Sequence, residues 1–209
     1  MSFEPSPSDA LIVVDVQNDF CPGGALAVAD GDAVVPVVNA LAARFANVVL
    51  TQDWHPAGHV SFAETHGRAP FETVELAYGT QVLWPTHCVQ GSSGAEFHPG
   101  LCVPHAQAIV RKGFNAAVDS YSGFREADRA TPTGLRGYLG DRGIRRVFVC
   151  GLAMDFCVAW TAFDARDAGL EVVVVEDACR GIDLDGSMAR SFGEMAERGI
   201  ARQTAATLG

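Results

Sequence analysis

Arg146–Asp167, RVFVCGLAMDFCVAWTAFDARD, is the stretch that decides the fold. It opens on Val147, Phe148, Val149 and Cys150, an unbroken apolar run of the kind buried on both faces of a parallel sheet. Gly151 is expected to end that strand. Asp155 offers a helix cap, and Cys157, Val158, Trp160, Thr161, Phe163 and Asp164 recur at helical spacing until Gly169. This places Cys157 in the first turn of a helix, just past the carboxyl end of a strand. Unpaired N–H groups and the positive end of the helix dipole there lower a thiol from its free value of about 8.5. The same N–H groups suit an oxyanion. Cys157 is therefore the candidate nucleophile. The plainer reading is a small apolar residue packed at a strand–helix junction.

Outward from this unit the pattern repeats. Ala10–Asp15 (ALIVVD), Asn47–Thr51 (NVVLT), Ala108–Arg111 (AIVR) and Glu171–Val175 (EVVVV) read as further buried strands, and Ile200–Thr204 as an edge strand. Helices are expected from a cap at Asp30 or Asp32 to Phe45, over Thr133–Arg142 and over Ser187–Arg198. Alternating strands and helices give an α/β fold of three layers, α/β/α, with a mainly parallel sheet of about six strands and helices on both faces. No repeat or linker interrupts residues 1–209, which read as a single domain. A long irregular segment, about 52–104, is rich in Gly, Pro, His and aromatics, and loops of that length are usually functional.

The totals narrow the function. With 48% hydrophobic residues and 19% charged, the chain has material for a core and no signature of disorder. A net charge of -10, with no basic cluster, argues against nucleic-acid binding. MSFEPSPSDA lacks the basic and apolar parts of a signal peptide, and no apolar run suits a membrane span. The 6 cysteines show no CxxC spacing and read as reduced thiols in cytoplasm. Of 15 basic residues only Lys112 is a lysine, which suggests chemistry that a guanidinium, unable to lose its proton, cannot perform. All 6 histidines fall between His55 and His105.

In such sheets ligands bind outside the carboxyl ends of the strands. Asp15, Asp53 with His55, Lys112 and Cys157 each follow a strand and so meet on one rim. There Asp15 can accept the thiol proton and hand it to a leaving amine, while a charged Lys112 holds Asp15 ionised. A buried Asp–Lys pair beside an inert cysteine is the plainer alternative. Asp53, His55 and His87, with His59 left open, form a carboxylate–imidazole set suited to Zn, Fe(II) or Mn; capping and packing roles are the alternative. Phe20, Trp84, Tyr121 and Phe156 lie in loops facing the rim and suit a flat ligand, although each is individually a candidate for ordinary packing.

Five segments, VDVQNDFCPGGAL, TQDWHPAGHVSF, WPTHCVQGSSGAEFHP, RKGFNAAVDSYSGF and GLAMDFCVAWTAFDA, resemble in this order the bacterial nicotinamidases (pyrazinamidases) among the isochorismatase-like cysteine hydrolases. The likeness runs from about Leu11 to Arg180. It implies hydrolysis of nicotinamide to nicotinate and ammonia in NAD recycling, with Asp15, Lys112 and Cys157 as the catalytic trio. It further implies Asp53, His55 and His87 as ligands of one divalent metal that grips the pyridine nitrogen, zinc first, with iron or manganese as the other choices. The ring would lie between the Phe20 and Trp84 side, and a cis peptide before Ala153 would aim the N–H groups of Ala153 and Cys157 at the oxyanion. Met154 and Phe156 depart from the residues frequent there, Thr and His or Tyr, which bears on substrate breadth. The implied partner is a small amide, nicotinamide and also pyrazinamide, with homo-oligomerisation left open. Three other readings stay open at this stage. One is a related amidase for ureido, carbamoyl or other carboxamide substrates. Another is a hydrolase that attacks with metal-bound hydroxide, and the last is a binding module without turnover.

Overall fold

The computed structural model describes residues 4–208; residues 1–3 and 209, including the start of the segment read above for a leader, lie outside it. The main sheet has six strands: β1 (Asp9–Val14), β2 (Val48–Asp53), β5 (Ala108–Lys112), β6 (Arg146–Leu152), β7 (Glu171–Arg180) and β8 (Ala201–Gln203). They run parallel in the order β5-β2-β1-β6-β7-β8. Helices α1 (Val34–Ala42), α2 (Leu135–Asp141), α3 (Ala159–Asp167) and α4 (Ser187–Glu197) complete a three-layer arrangement. In β1 and β2 every residue is buried, so both faces of the sheet's centre are covered. On one face Val34, Val38 and Leu41 of α1 face the core, and the Phe45 ring lies 5.0 Å from Phe148 of β6. No helix among the described residues is long and apolar enough to cross a membrane.

Four local expectations need correction. Gly151 does not end β6; it sits inside it at φ +115, where a Cβ would meet the Val14 carbonyl oxygen at 2.1 Å. Only glycine lets the strand pass that close to β1 while the backbone takes this conformation. Asp155 does not cap a helix either. Its carboxylate accepts hydrogen bonds from the N–H groups of Ile182 (3.0 Å) and Asp183 (2.7 Å), tying a distant loop to the end of β6. Likewise α1 begins without a side-chain cap from Asp30 or Asp32, after a short 3-10 turn at Gly31–Ala33. Finally, the 52–104 segment is not wholly irregular. It contains an antiparallel hairpin of β3 (Thr73–Leu76) and β4 (Gly79–Val82).

Candidate active site

Strand order explains the site. β5, β2, β1 and β6 are consecutive in the sheet, and each delivers one group to the same edge. Lys112 and Asp53 end β5 and β2 and are register partners, so their side chains emerge side by side. Asp15 follows β1 in a left-handed conformation (φ 47). After β6 the chain passes a cis Leu152–Ala153 peptide into a π-helical turn, Met154–Val158, which carries Cys157 into α3. Such single π-turns recur at functional sites.

The Lys112 ammonium is fully buried at the hub of this edge. Its Nζ lies 2.9 Å from Asp15 Oδ2 and 3.3 Å from Cys157 Sγ, donates to the Ser120 carbonyl oxygen at 2.9 Å, and donates to Asp53 Oδ1. Burial alone would strip its proton. The carboxylates of Asp15 and Asp53, with the Cys157 sulfur, outweigh that and hold Lys112 well above the usual lysine range. It is thus a fixed cation and not the titrating lysine that its rarity suggested. A compact ammonium suits a hub whose partners lie in different directions better than a planar guanidinium does.

Electrostatics also reverse the expectation for the thiol. Burial raises Cys157 well above a free thiol; Lys112 pulls it down, but Asp15 and Asp53 push it up again. The sulfur therefore rests protonated. Burial likewise raises Asp15, against Lys112, which makes it a stronger proton acceptor than a surface carboxylate. Thr51 Oγ1 donates to Asp15 Oδ1 at 2.6 Å and fixes its orientation.

Asp53, His55 and His87 bring ligand atoms within 4.8 Å of one another. His55 Nδ1 donates to the Gly113 carbonyl oxygen (2.9 Å) and His87 Nδ1 to that of Pro85 (2.7 Å). Both Nε2 atoms are thereby turned toward Asp53 Oδ2, at 3.5 Å and 3.8 Å. Backbone carbonyls that fix the second ring nitrogen are the usual support of metal-ligating histidines, and this donor set fits a divalent ion. His59 stands behind, its ring 4.2 Å from that of His55, with Nδ1 2.7 Å from Ser61 Oγ; burial lowers it to about 4. It joins His55 and Asp119 in a second group of close ligand atoms, which shares His55 with the Asp53 set. Cys88 is a buried thiol raised by burial, facing the Gly94 carbonyl oxygen.

Phe20, Trp84, Tyr121 and Phe156 line one cavity with His55, His87, Ala153 and Cys157. Trp84 meets Phe156 edge-on at 4.9 Å, and its Nε1–H donates to the Tyr121 hydroxyl at 3.0 Å. Phe20 lies 5.5 Å from the His87 ring on the opposite side. Leu26, Asp119 and Ile182 complete the wall and were not foreseen. Nor was Gln17, which clamps the Asp53 backbone with two hydrogen bonds, Nε2 to its carbonyl (2.9 Å) and N–H to Oε1 (2.8 Å). Its position two residues past Asp15 was the one available hint.

Comparison with known proteins agrees with this geometry. Residues 9–207 match the isochorismatase domain family. The chain is 57% identical to a nicotinamidase of Acinetobacter baylyi over 92% of this chain and 91% of that one. It is 44% identical to a nicotinamidase of Escherichia coli, over 96% of each. Among solved structures, an Acinetobacter baumannii nicotinamidase/pyrazinamidase superposes with a TM-score of 0.97 at 57% identity, over 99% of this chain and 100% of that one. A protein from L. infantum in complex with nicotinate gives 0.87 at 41% identity, over 99% and 98%. A pyrazinamidase of Pyrococcus horikoshii in complex with zinc gives 0.78 at 39% identity, over 95% and 99%. Given the match over nearly its whole length and relatives of this similarity, the chain belongs to the isochorismatase family, in its nicotinamidase and pyrazinamidase branch.

Proposed function

We propose that the chain, acting as one domain, is a nicotinamidase that hydrolyses nicotinamide to nicotinate and ammonia through a thioester on Cys157. The observation that carries this reading is the single ammonium of Lys112 in contact with Asp15, Asp53 and Cys157, the last two of which line a cavity that also holds two carbonyl-anchored imidazoles. As Cys157 sulfur attacks the carboxamide carbon, its proton passes to Asp15, whose ligand oxygen lies within 4.8 Å of the sulfur. The N–H groups of Ala153 and Cys157 receive the oxyanion. Asp15 then protonates the leaving nitrogen, the C–N bond breaks and ammonia departs. Water attacks the thioester, giving a proton to Asp15, which returns it to sulfur as nicotinate leaves. Lys112 keeps its charge throughout and steadies each anionic arrangement.

Asp53, His55 and His87 would hold the divalent ion, zinc by preference given the zinc complex of the P. horikoshii relative. When bound, that ion grips the pyridine nitrogen and orients the ring. Phe20, Trp84, Tyr121 and Phe156 confine the ring's faces and edge and exclude water. A ureido or carbamoyl substrate offers no ring nitrogen to such an ion, so the histidine pair favours nicotinamide. Recycling of pyridine nucleotides in the cytoplasm is the setting this reaction implies. The test is ammonia release from nicotinamide by wild type and Cys157→Ala, with and without chelator. Loss in the variant and under chelation is expected; turnover surviving in Cys157→Ala would refute the thioester route.

A further inference from the structure

A second cavity lies beside the catalytic one and shares its Tyr121 wall. It encloses about 480 Å³, mouth included, and is lined by Tyr78, Gln81, Tyr121, Arg125, Glu126 and Trp160, among others. Glu126 is 1% exposed, and neither carboxylate oxygen has a hydrogen-bond partner among the described residues. Its backbone is fully engaged: the N–H donates to the Thr131 carbonyl at 2.9 Å, and its own carbonyl accepts from Arg129 N–H at 3.0 Å. The side chain is thus held in place with no partner for its carboxyl group. Buried carboxylates are ordinarily paired, because an unpaired one costs several kcal/mol.

The neighbouring arginines do not answer it. Arg129 Nη2 lies 2.7 Å from Asp164 Oδ1 and 3.8 Å from Asp167 Oδ2, and Arg125 Nε lies 3.5 Å from Asp164 Oδ2. Asp167 also pairs with Arg198 at 2.8 Å, and Arg198 with Glu194 at 2.7 Å, so three guanidinium charges meet three carboxylates, which leaves Glu126 as the unbalanced group. Three aromatic side chains, Tyr78, Tyr121 and Trp160, share the cavity with it. A carboxylate at an aromatic-walled cavity is the recognition pattern for a small organic or ammonium cation. We infer that this cavity is a binding site for ammonium or a primary alkylammonium, with Glu126 as its counter-ion.

Two sources could supply such a cation: the ammonia released next door, which rests on the nicotinamidase reading, or an amine from solution. Rubidium, an ion of about ammonium's size, is the probe. Crystals of wild type and Glu126→Gln are soaked in rubidium chloride and examined for anomalous scattering. A peak at the Glu126 carboxylate in the wild type, lost in the variant and displaced by ammonium chloride or n-butylammonium chloride, is the expected result. Stronger displacement by ammonium assigns the cavity to the reaction's own product; stronger displacement by n-butylammonium assigns it to an external amine. Absence of a wild-type peak at Glu126, or a peak undiminished in the variant, overturns the inference. Should the variant fail to fold, a wild-type peak that neither amine displaces overturns it equally. Binding is read here without substrate turnover, so this result and that for nicotinamide hydrolysis fail independently.

Discussion

Substituting Gly113 by alanine should weaken metal binding without touching a ligand. Gly113 follows Lys112 at φ +64, and its carbonyl oxygen holds His55 Nδ1 at 2.9 Å. A Cβ built there meets His55 Cε1 at 2.4 Å and Nδ1 at 2.6 Å. Ordinary carbon contacts begin near 3.5 Å, so the imidazole must retreat by about 1 Å or rotate off its carbonyl. Zn–N bonds run about 2.0–2.1 Å and tolerate about 0.2 Å, so a displacement of that size removes His55 from a set of three. Loss of such outer support costs roughly 10- to 100-fold in metal affinity, or about 1.4–2.7 kcal/mol. The left-handed backbone adds about 1 kcal/mol of strain to the fold. Competition against a chromogenic chelator measures the first effect, and urea denaturation of the metal-free protein the second. Zinc affinity within twofold of wild type, in an alanine variant whose folding stability has dropped, would show that His55 is not a ligand and refute the reasoning.

The remaining predictions concern buried charge. Lys112→Met leaves Asp15 and Asp53 facing each other without their shared cation. Removing one partner from a buried pair typically costs about 3–5 kcal/mol, and here the loss should shrink as pH falls and Asp15, already raised by burial, takes up a proton. Urea denaturation at pH 7 and pH 4.5 checks this; a variant as stable as wild type at neutral pH would contradict the hub. Glu126 is raised by burial to about 7, against the ordinary 4.5. With no cation bound, its folded form holds a proton that the unfolded chain has lost, so its contribution is intact below pH 4.5 and disappears as pH rises through 7. The full rise corresponds to about 3.4 kcal/mol, of which roughly 2–3 kcal/mol falls between pH 5 and 8, and Glu126→Gln should flatten the stability curve of the metal-free protein by that smaller amount over this range. An unchanged slope would count against an unpaired Glu126.

Strands were legible where burial on both faces turns a strand into an unbroken apolar run, as in Leu11–Val14 and Val172–Val175. The β3–β4 hairpin lacked that signal because its residues are mostly half-buried or exposed, so nothing forces an apolar pattern on them. The side-chain caps expected at Asp30, Asp32 and Asp155 do not form. Each aspartate stands where a cap belongs in sequence, yet Asp155 is drawn to Ile182 and Asp183, residues that only the fold brings near.

The same distinction separates what could and could not be read of the site. Asp15, Asp53, Lys112 and Cys157 were found because a parallel sheet sends every strand's carboxyl end to one edge, a rule that needs only strand positions. Ser120 was invisible because it contributes a carbonyl oxygen, and Thr51 because a hydroxyl inside a strand looks like ordinary β-propensity. The protonation of Cys157 was misread for a deeper reason. A helix terminus is local and counts in favour of the thiolate, whereas the opposing carboxylates arrive from β1 and β2, far away in the chain. On the proposed thioester route, a thiol that rests protonated beside a carboxylate raised by burial would need no separate base, because attack on a carbonyl would deliver the proton straight to Asp15. The two shifts that contradict the local argument would therefore supply, on that route, the proton transfer that an amide leaving group requires.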